Sequence, residues 1–243
     1  IIGSNNPMAY ELSKYLMSLS HNVFSISSTN KDSKNTYVLD MSKKLSEKMI
    51  LDKISPLKKK VFGCIIVFST KGADYKNSIE LLSINLQIYE NLINVIKKIK
   101  THKIINVSSI YVNNLVKKIN LKNNEYYYAL SKYICENILI KEFEDKVILN
   151  LRLPQVISPK YKNKGVLNSL LMDLKKTNKI FIYNEKRVVN FIDMNLFIKS
   201  IIKLLDSKKS SIKIVKGKAI SLKNYAISLK KRYGDMNTEI IYK

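Results

Sequence analysis

Cysteine, histidine and arginine are all scarce in this chain, and each scarcity excludes something. The two cysteines, Cys64 and Cys135, lie in apolar surroundings, and the two histidines are His21 and His102. That is too little for a disulfide framework or a zinc site, so no metal is expected. The cysteines read as buried free thiols of a cytoplasmic protein. Both histidines precede strand-like runs and read as loop residues. Arginine is confined to Arg152, Arg187 and Arg232, although Lys and Arg together number 43 against 19 Asp and Glu, a net charge of +24. The positive charge is therefore nearly all lysine, spread from "LKKK" (57–60) to "LKKR" (229–232). Bidentate recognition of phosphates and bases favours arginine, so no specific nucleic-acid partner is expected. Ile, Lys and Asn, each with codons built from A and T alone, are abundant, and a biased genome accounts for the mixture. The field would still draw anionic small molecules. Long apolar runs are missing too. Nothing approaches the roughly 18 residues of a membrane span, and no cationic-then-apolar leader opens the chain.

What is present is a globular pattern: 243 residues, 46% of them hydrophobic. Continuous apolar runs at 22–27, 36–40, 63–69, 103–109 and 147–154 read as strands of a parallel sheet covered on both faces. Helix-period segments at 7–19, 79–100 and 126–143 alternate with them. In the first of these, Met8, Leu12, Leu16 and Leu19 share a face, and Pro7 fits the first helical turn. The alternation predicts an α/β, doubly wound parallel sheet. Elements shorten after about Pro159, with a helix near 166–175, a strand near 179–183 and a helix near 194–206. Residues 1–158 are therefore expected to form the main domain. Residues 159–243 would form a mixed region that completes the sheet and carries the substrate-binding part.

Glycine is also sparse where it would be most useful. The opening "IIGSNNPMAYEL" reads as the end of a strand, a turn and a helix, with its start expected upstream of Ile1. In a dinucleotide site such a turn carries glycines and its helix faces the pyrophosphate. Here the three spaced positions are Gly3, Asn6 and Ala9. Asn6 tolerates positive φ better than most residues, and Ala9 is small enough for close packing. At the tip of the next strand stand Ser27, Ser28 and Thr29, then Lys31, with no carboxylate for a ribose diol. That favours NADP over NAD.

The stretch "YYYALSK" (126–132) contains one phenol with a lysine four residues later: Tyr128 and Lys132 share a helix face. A neighbouring ammonium favours the phenolate and makes Tyr128 usable as an acid or base. Tyr126 and Tyr127 lack such a neighbour and read as cleft rim or surface. The strand "IINVSS" ends in Ser108 and Ser109 at the edge where α/β ligands bind.

Tyr128-xxx-Lys132 after a strand ending in Ser109 resembles the short-chain dehydrogenase/reductase superfamily. More narrowly, it resembles the extended branch of NAD(P)-dependent nucleotide-sugar epimerases, dehydratases and reductases. "SINLQIYENLINVIKK", "LRLPQVISP" (151–159), "VVNFIDMNLFIKSIIKLL" (188–205) and "ISLKNYAISLKKRYG" (220–234) are similar to successive segments of that branch, in order and over nearly the whole chain.

The resemblance implies a Rossmann fold and roles by position. Tyr128 would be the acid/base. Lys132 would hold the nicotinamide ribose and lower the tyrosine's pKa, and Ser109 would bond the reacting sugar oxygen. Gly3, Asn6 and Ala9 would line the pyrophosphate turn. Ser27, Ser28, Asp40, Phe68, Ser69 and Asn85 would adjoin the cofactor, NADP or NAD. Gln155 and Arg187 would meet the nucleotide-sugar substrate, although the family has asparagine where Gln155 stands, and its arginine falls at Val189. No acid follows Ser109, which implies an epimerase or reductase rather than a dehydratase. Pairing through the helices at 79–100 and 126–143 would make a homodimer. The replaced turn glycines leave a rival from another class, a non-catalytic dinucleotide-binding scaffold of the same fold.

Overall fold

The computed structural model describes residues 1–29, 34–68, 70–72, 77–121, 123–158 and 165–243. The first half of the chain alternates strand and helix: α1 (Pro7–Ser18), β1 (Ser25–Ser27), β2 (Thr36–Val38), α2 (Glu47–Lys58), β3 (Val61–Phe62), β4 (Ile65–Val67), α3 (Ser78–Lys97). Then follow β5 (Lys100–Thr101), β6 (Lys103–Ser109), α4 (Tyr111–Val116), α5 (Asn123–Glu142) and β7 (Val147–Leu153). The remainder is β8 (Gln155–Ile157), α6 (Val166–Thr177), β9 (Lys179–Ile182), β10 (Val188–Asp193), α7 (Met194–Leu205), β11 (Ser211–Ile214), β12 (Lys218–Ser221), α8 (Leu222–Tyr233) and β13 (Glu239–Tyr242).

Two compact units result, Ile1–Arg152 with Ser200–Ile214, and Leu153–Lys199 with Val215–Lys243. The chain thus passes between them more than once. Ser200–Ile214 returns to the first unit because β11 lies parallel beside β7, Ser211 opposite Leu149. The main sheet runs β11-β7-β6-β4. Ile2 extends it by bridging Val67 of β4 and Ile26 of β1, both in parallel, and β1 pairs in parallel with β2. Strand order therefore reverses at Ile2, the topological switch point of a doubly wound α/β fold. Every residue of β6 and β7 after the first is buried, as a sheet covered on both faces requires.

Strands β1, β2 and β4 are shorter than their apolar runs suggested, because ladder pairing stops before the hydrophobic stretch does, whereas β6 spans the expected 103–109 and β7 nearly the expected 147–154. The α1 face also differs. Ala9, Leu12, Ser13 and Leu16 are buried, while Leu19, just past the helix end, is 49% exposed. Helix α2 was not anticipated. Its Pro56 masks it in the sequence, yet Ile50, Ile54 and Leu57 fall on one buried face and Ser46 caps its start. Proline sits in the last turn, where the N–H it removes would have bonded Asp52; the Ser55 hydroxyl donates to that carbonyl instead, at 3.5 Å.

The first unit's core joins Ile65, Val67 and Ile104 of the sheet to the buried faces of α2, α3 and α5. The second unit has its own core, in which Leu167, Leu170, Leu171 and Leu174 of α6 meet Tyr225, Ala226 and Leu229 of α8. Cys135 is buried and Cys64 half-buried, both free. No helix among the described residues is long and apolar enough to cross a membrane.

One polar chain runs through the first core. The hydroxyl of Tyr89, fully buried on α3, donates to Asn106 Oδ1 of β6 at 2.6 Å, and Asn106 Nδ2 donates to Asn150 Oδ1 of β7 at 2.8 Å. Tyr89→Phe removes the donor and leaves a buried carbonyl oxygen unsatisfied, so unfolding free energy in urea should fall by about 1–3 kcal/mol. An unchanged midpoint would mean that Asn106 finds another donor.

Candidate active site

Helix α5 and the end of β6 build the site. Lys132 is 2% exposed and its Nζ donates to the Val107 carbonyl of β6 at 2.8 Å. Ser109, also buried, ends that strand two residues later. Its Oγ accepts the Tyr111 N–H at 3.3 Å, and the Tyr111 ring meets the Tyr128 ring edge-on with centroids 6.4 Å apart. The Tyr111 hydroxyl reaches Glu125 Oε1 at 3.2 Å. Ser109, Tyr128 and Lys132 are thus gathered around one strand end, with Tyr128 half-buried one helical turn before Lys132. Tyr126 is 42% exposed and rests edge-on against Tyr127.

Burial lowers the Lys132 pKa from the ordinary 10.5 to about 8, against the upward pull of Cys135 and Glu136. One turn beyond Lys132, Glu136 is 1% exposed and pairs with Arg152 of β7. Arg152 Nη2 donates to Glu136 Oε2 at 2.6 Å, Nε shares its proton between both carboxylate oxygens, and Nη1 donates to Asn113 Oδ1 of α4 at 2.6 Å. The Ser108 hydroxyl donates to Glu136 Oε1 at 2.5 Å. Four elements therefore meet at one buried ion pair. The clue in the sequence is Arg152 itself, a charge inside the apolar run "LNLRLP", which demands a buried partner.

Asn85 is fully buried, and its amide is engaged within the protein. Oδ1 accepts the Lys71 N–H at 2.8 Å, while Nδ2 donates to Ser131 Oγ at 3.0 Å and toward the Lys71 carbonyl at 3.4 Å. Ser131 Oγ in turn donates to the Tyr128 carbonyl at 2.8 Å. Asn85 thus ties the loop after β4 to the turn that carries Tyr128.

At the switch point, Gly3 has φ +84°. Asn6 does not use positive φ: it lies at φ −69°, ψ 127° and caps α1 with its side chain, because the helix begins at Pro7. Ala9 is fully buried. Asn5, not singled out from the sequence, joins this turn to the tip of β1. Its Nδ2 donates to Ser28 Oγ at 3.1 Å and Thr29 Oγ1 at 2.6 Å, and the Ser27 hydroxyl donates to its Oδ1. The Asp40 carboxylate accepts the hydroxyl and N–H of Ser42 at 2.6 and 3.1 Å. Burial raises its pKa, but those bonds and the charges of Lys43 and Lys71 outweigh this and leave it lowered. Phe68 is buried, its N–H bonded to the Ile2 carbonyl at 2.8 Å. Ser69 and Lys31 lie outside the described residues.

Gln155 and Arg187 stand in the second unit. Gln155 Nε2 is buried with no hydrogen-bond partner among the described residues, and Gly165, at φ +81°, lies so near that a Cβ there would be 2.5 Å from it. Arg187 anchors its backbone, with N–H to Asn184 and carbonyl from the Leu222 N–H.

The profile of the NAD dependent epimerase/dehydratase family matches residues 1–215. No curated protein matches the chain in sequence. Among solved structures, the chain superposes on UDP-glucose 4-epimerase from Thermotoga maritima with a TM-score of 0.78 at 15% identity, covering 100% of this chain and 83% of that one. For ADP-L-glycero-D-manno-heptose-6-epimerase from Helicobacter pylori the TM-score is 0.74 at 19% identity, over 99% and 83% of the two chains. L-threonine dehydrogenase from Phytophthora infestans gives 0.77 at 14% identity, over 100% and 83%. At such identities the likeness shows the fold.

The depressed Lys132 pKa predicts a pH signature. Below pH 8 folded and unfolded chains both hold this proton, and the cost of burying the ammonium stands in full. Between about pH 8 and 10.5 only the unfolded chain holds it, so this position's contribution to stability rises with pH, by ~3 kcal/mol in all. The thiols of Cys64 and Cys135, pushed up to about 11 and about 12, pull the other way at alkaline pH, so the comparison must be with Lys132→Met. Wild type should gain about 2–3 kcal/mol on that variant between pH 7.5 and 10 in urea titrations. A pH-independent difference would refute the buried-ammonium assignment.

Proposed function

The chain belongs to the NAD dependent epimerase/dehydratase family, and from that membership we propose that it acts as an epimerase or reductase on a nucleotide-activated sugar. The observation that carries this reading is the gathering of Ser109, Tyr128 and Lys132 at the end of β6, with Lys132 bonded to the Val107 carbonyl. Tyr128 takes the proton from the reacting sugar hydroxyl and returns it. Ser109 orients that oxygen. Lys132 sets the charge beside Tyr128 and presents donors to a ribose. A nicotinamide dinucleotide, when bound, would supply hydride chemistry, accepting a hydride from the sugar carbon in its oxidised form and giving one back in its reduced form. The residues present suit such a group: Gly3, at φ +84°, leaves the turn beside the switch point without a side chain, and Ala9 lets α1 lie close to the sheet. Ser27, Ser28, Asp40, Phe68 and Ser69 would flank it, and Asn85 would act by holding the adjoining loop. Gln155, whose amide nitrogen is buried without a partner among the described residues, and Arg187 would meet the nucleotide sugar.

NADP is the favoured dinucleotide. Ser28 and Thr29 both accept from Asn5, so each keeps its own O–H to donate, which suits an additional phosphate better than a diol. Epimerase or reductase is preferred to dehydratase because Ile110 and Tyr111 follow Ser109. The L-threonine dehydrogenase neighbour keeps the substrate class a matter for assay.

One observation favours the second reading, a scaffold that binds nucleotide without turnover. The N–H groups of Gly3 and Ser4 go to the Ile26 carbonyl of β1, and those of Asn6 and Met8 are bonded within the turn. Tyr128→Phe separates the two. With circular dichroism unchanged, turnover in a nucleotide-sugar screen should fall by at least about 10²-fold; a fully active variant sinks the Tyr128 assignment.

A homodimer through α3 and α5 completes the proposal. Tyr126, Tyr133 and Ile140, seven residues apart, are 42%, 39% and 40% exposed along α5, and Ile79 at the start of α3 is 68% exposed. Sedimentation equilibrium should show a dimer that Tyr133→Glu with Ile140→Glu converts to monomer. A monomeric wild type rejects the pairing.

A further inference from the structure

We infer that Tyr111, braced by Glu125, is a positioning residue that fixes the Tyr128 ring relative to Ser109. The inference rests on the reading of Tyr128 and Ser109 as reacting groups. Three elements supply the parts: the end of β6, the start of α4 and the first turn of α5. Tyr111 opens α4 two residues after Ser109, and its N–H goes to Ser109 Oγ at 3.3 Å. That bond takes one acceptor position on the oxygen and leaves the Ser109 O–H to be given to another oxygen. The side chain of the same residue reaches Tyr128. The two rings stand at 84° with centroids 6.4 Å apart, the edge-to-face arrangement that aromatic pairs prefer. Tyr111 therefore touches both the proposed acid/base and the group that would orient the reacting oxygen.

Tyr111 is itself held at both ends. Its hydroxyl donates to Glu125 Oε1 at 3.2 Å. Glu125 lies in the first turn of α5, where the positive end of the helix dipole favours a carboxylate. It stands three residues before Tyr128, so the two share a helix face. At the other end the backbone of α4 is pinned. Val112 is fully buried, and Asn113 gives its N–H to the Ile110 carbonyl at 2.9 Å while its Oδ1 accepts Arg152 Nη1 at 2.6 Å. The Tyr111 ring thus runs from a fixed turn to a fixed carboxylate, with the Tyr128 ring against it. A tyrosine side chain turns about two torsions, and a misplacement of about 1 Å at a reacting group can cost on the order of 10²-fold in rate. A neighbouring ring braced at both ends removes that freedom before substrate arrives.

Four variants test this, each checked for folding by its melting temperature: Tyr111→Leu, Tyr111→Phe, Glu125→Ala and Glu125→Gln. Leucine removes the ring, phenylalanine keeps it without the tie to Glu125, and glutamine keeps an acceptor for the Tyr111 hydroxyl. Kinetics use the sugar nucleotide that wild type turns over from a panel of UDP-, dTDP-, GDP- and ADP-sugars. In Tyr111→Leu kcat should fall roughly 10- to 100-fold with KM within about threefold of wild type, the mark of lost reacting geometry. Tyr111→Phe and Glu125→Ala should each lose about two- to tenfold in kcat, the range of one hydrogen bond, and Glu125→Gln should restore most of it. An unchanged kcat in Tyr111→Leu overturns the inference, and so does a raised KM at constant kcat, which would make Tyr111 a binding group. If Glu125→Ala matches wild type, or Glu125→Gln loses as much as Glu125→Ala, the brace is overturned. NMR of isotope-labelled tyrosine in the ligand-free protein needs no substrate. The Tyr128 ring resonance, assigned by its loss in Tyr128→Phe, should move in Tyr111→Leu; if it stays, the inference fails whether or not a sugar is turned over. If it moves while wild type turns over nothing in the panel, the hold on Tyr128 stands and the sugar-nucleotide reading falls.

Discussion

The geometry of the candidate site depends on a buried ion pair. Arg152 and Glu136 are 7% and 1% exposed, and each is held by neutral groups as well as by its opposite charge. Such a pair contributes little net stability over apolar residues of the same size, because desolvation offsets the attraction; losing one partner strands the other and costs several kcal/mol. Its value lies in registry. Arg152 comes from β7, Glu136 from α5, Ser108 from β6 and Asn113 from α4, so the four elements can meet in only one alignment. That alignment puts Lys132, one turn before Glu136, against the Val107 carbonyl, and places Tyr128 one turn earlier still. The catalytic spacing on the helix is local, but its position relative to Ser109 is set by charges that take no part in the proposed reaction.

The same pair eases an electrostatic difficulty. A chain with net charge +24 buries the ammonium of Lys132 as well as the guanidinium of Arg152; Glu136 pairs with the second and favours the charge of the first. Most other lysines stand at the surface, where solvent screens them and individual ion pairs contribute little. Their sum still gives an anionic nucleotide a favourable approach. Attraction over long range and recognition at the proposed site would thus be separate: many exposed lysines would supply the first, a few buried, bonded groups the second.

What was legible in the sequence follows from range. The parallel sheet, the long helices and the Tyr128–Lys132 spacing are local patterns, and the apolar runs of β6 and β7 show them directly. Helix α2 was obscured by Pro56, although Ile50, Ile54 and Leu57 carried the helical period. The links of Asn85 to Lys71 and Ser131, of Asn5 to the tip of β1, and of Glu136 to Arg152 join residues 14 to 46 positions apart, and no local period encodes them. Asn6 failed for a different reason. Its position suggested a tolerated positive φ, whereas the side chain's capping bond decides the backbone there, and Gly3 alone carries the turn.

The two ends of the proposed site are held with different firmness. Around Lys132, polar side chains are buried and bonded in ways that leave little latitude: a change at Glu136, Arg152 or Ser131 would disturb elements far from the reaction. Around the first turn the groups are short, partly exposed asparagines and serines whose bonds exchange readily with water. On the proposed reading, asparagine and alanine in place of glycine at positions 6 and 9 would alter how firmly a phosphate is held without touching the ion pair that fixes Lys132. A chain can accumulate such changes at the turn while the strand end and α5 keep their alignment. On this physical ground, altered dinucleotide affinity with an intact acid/base arrangement is the expected form of divergence here, and loss of Tyr128's environment with a preserved turn is not.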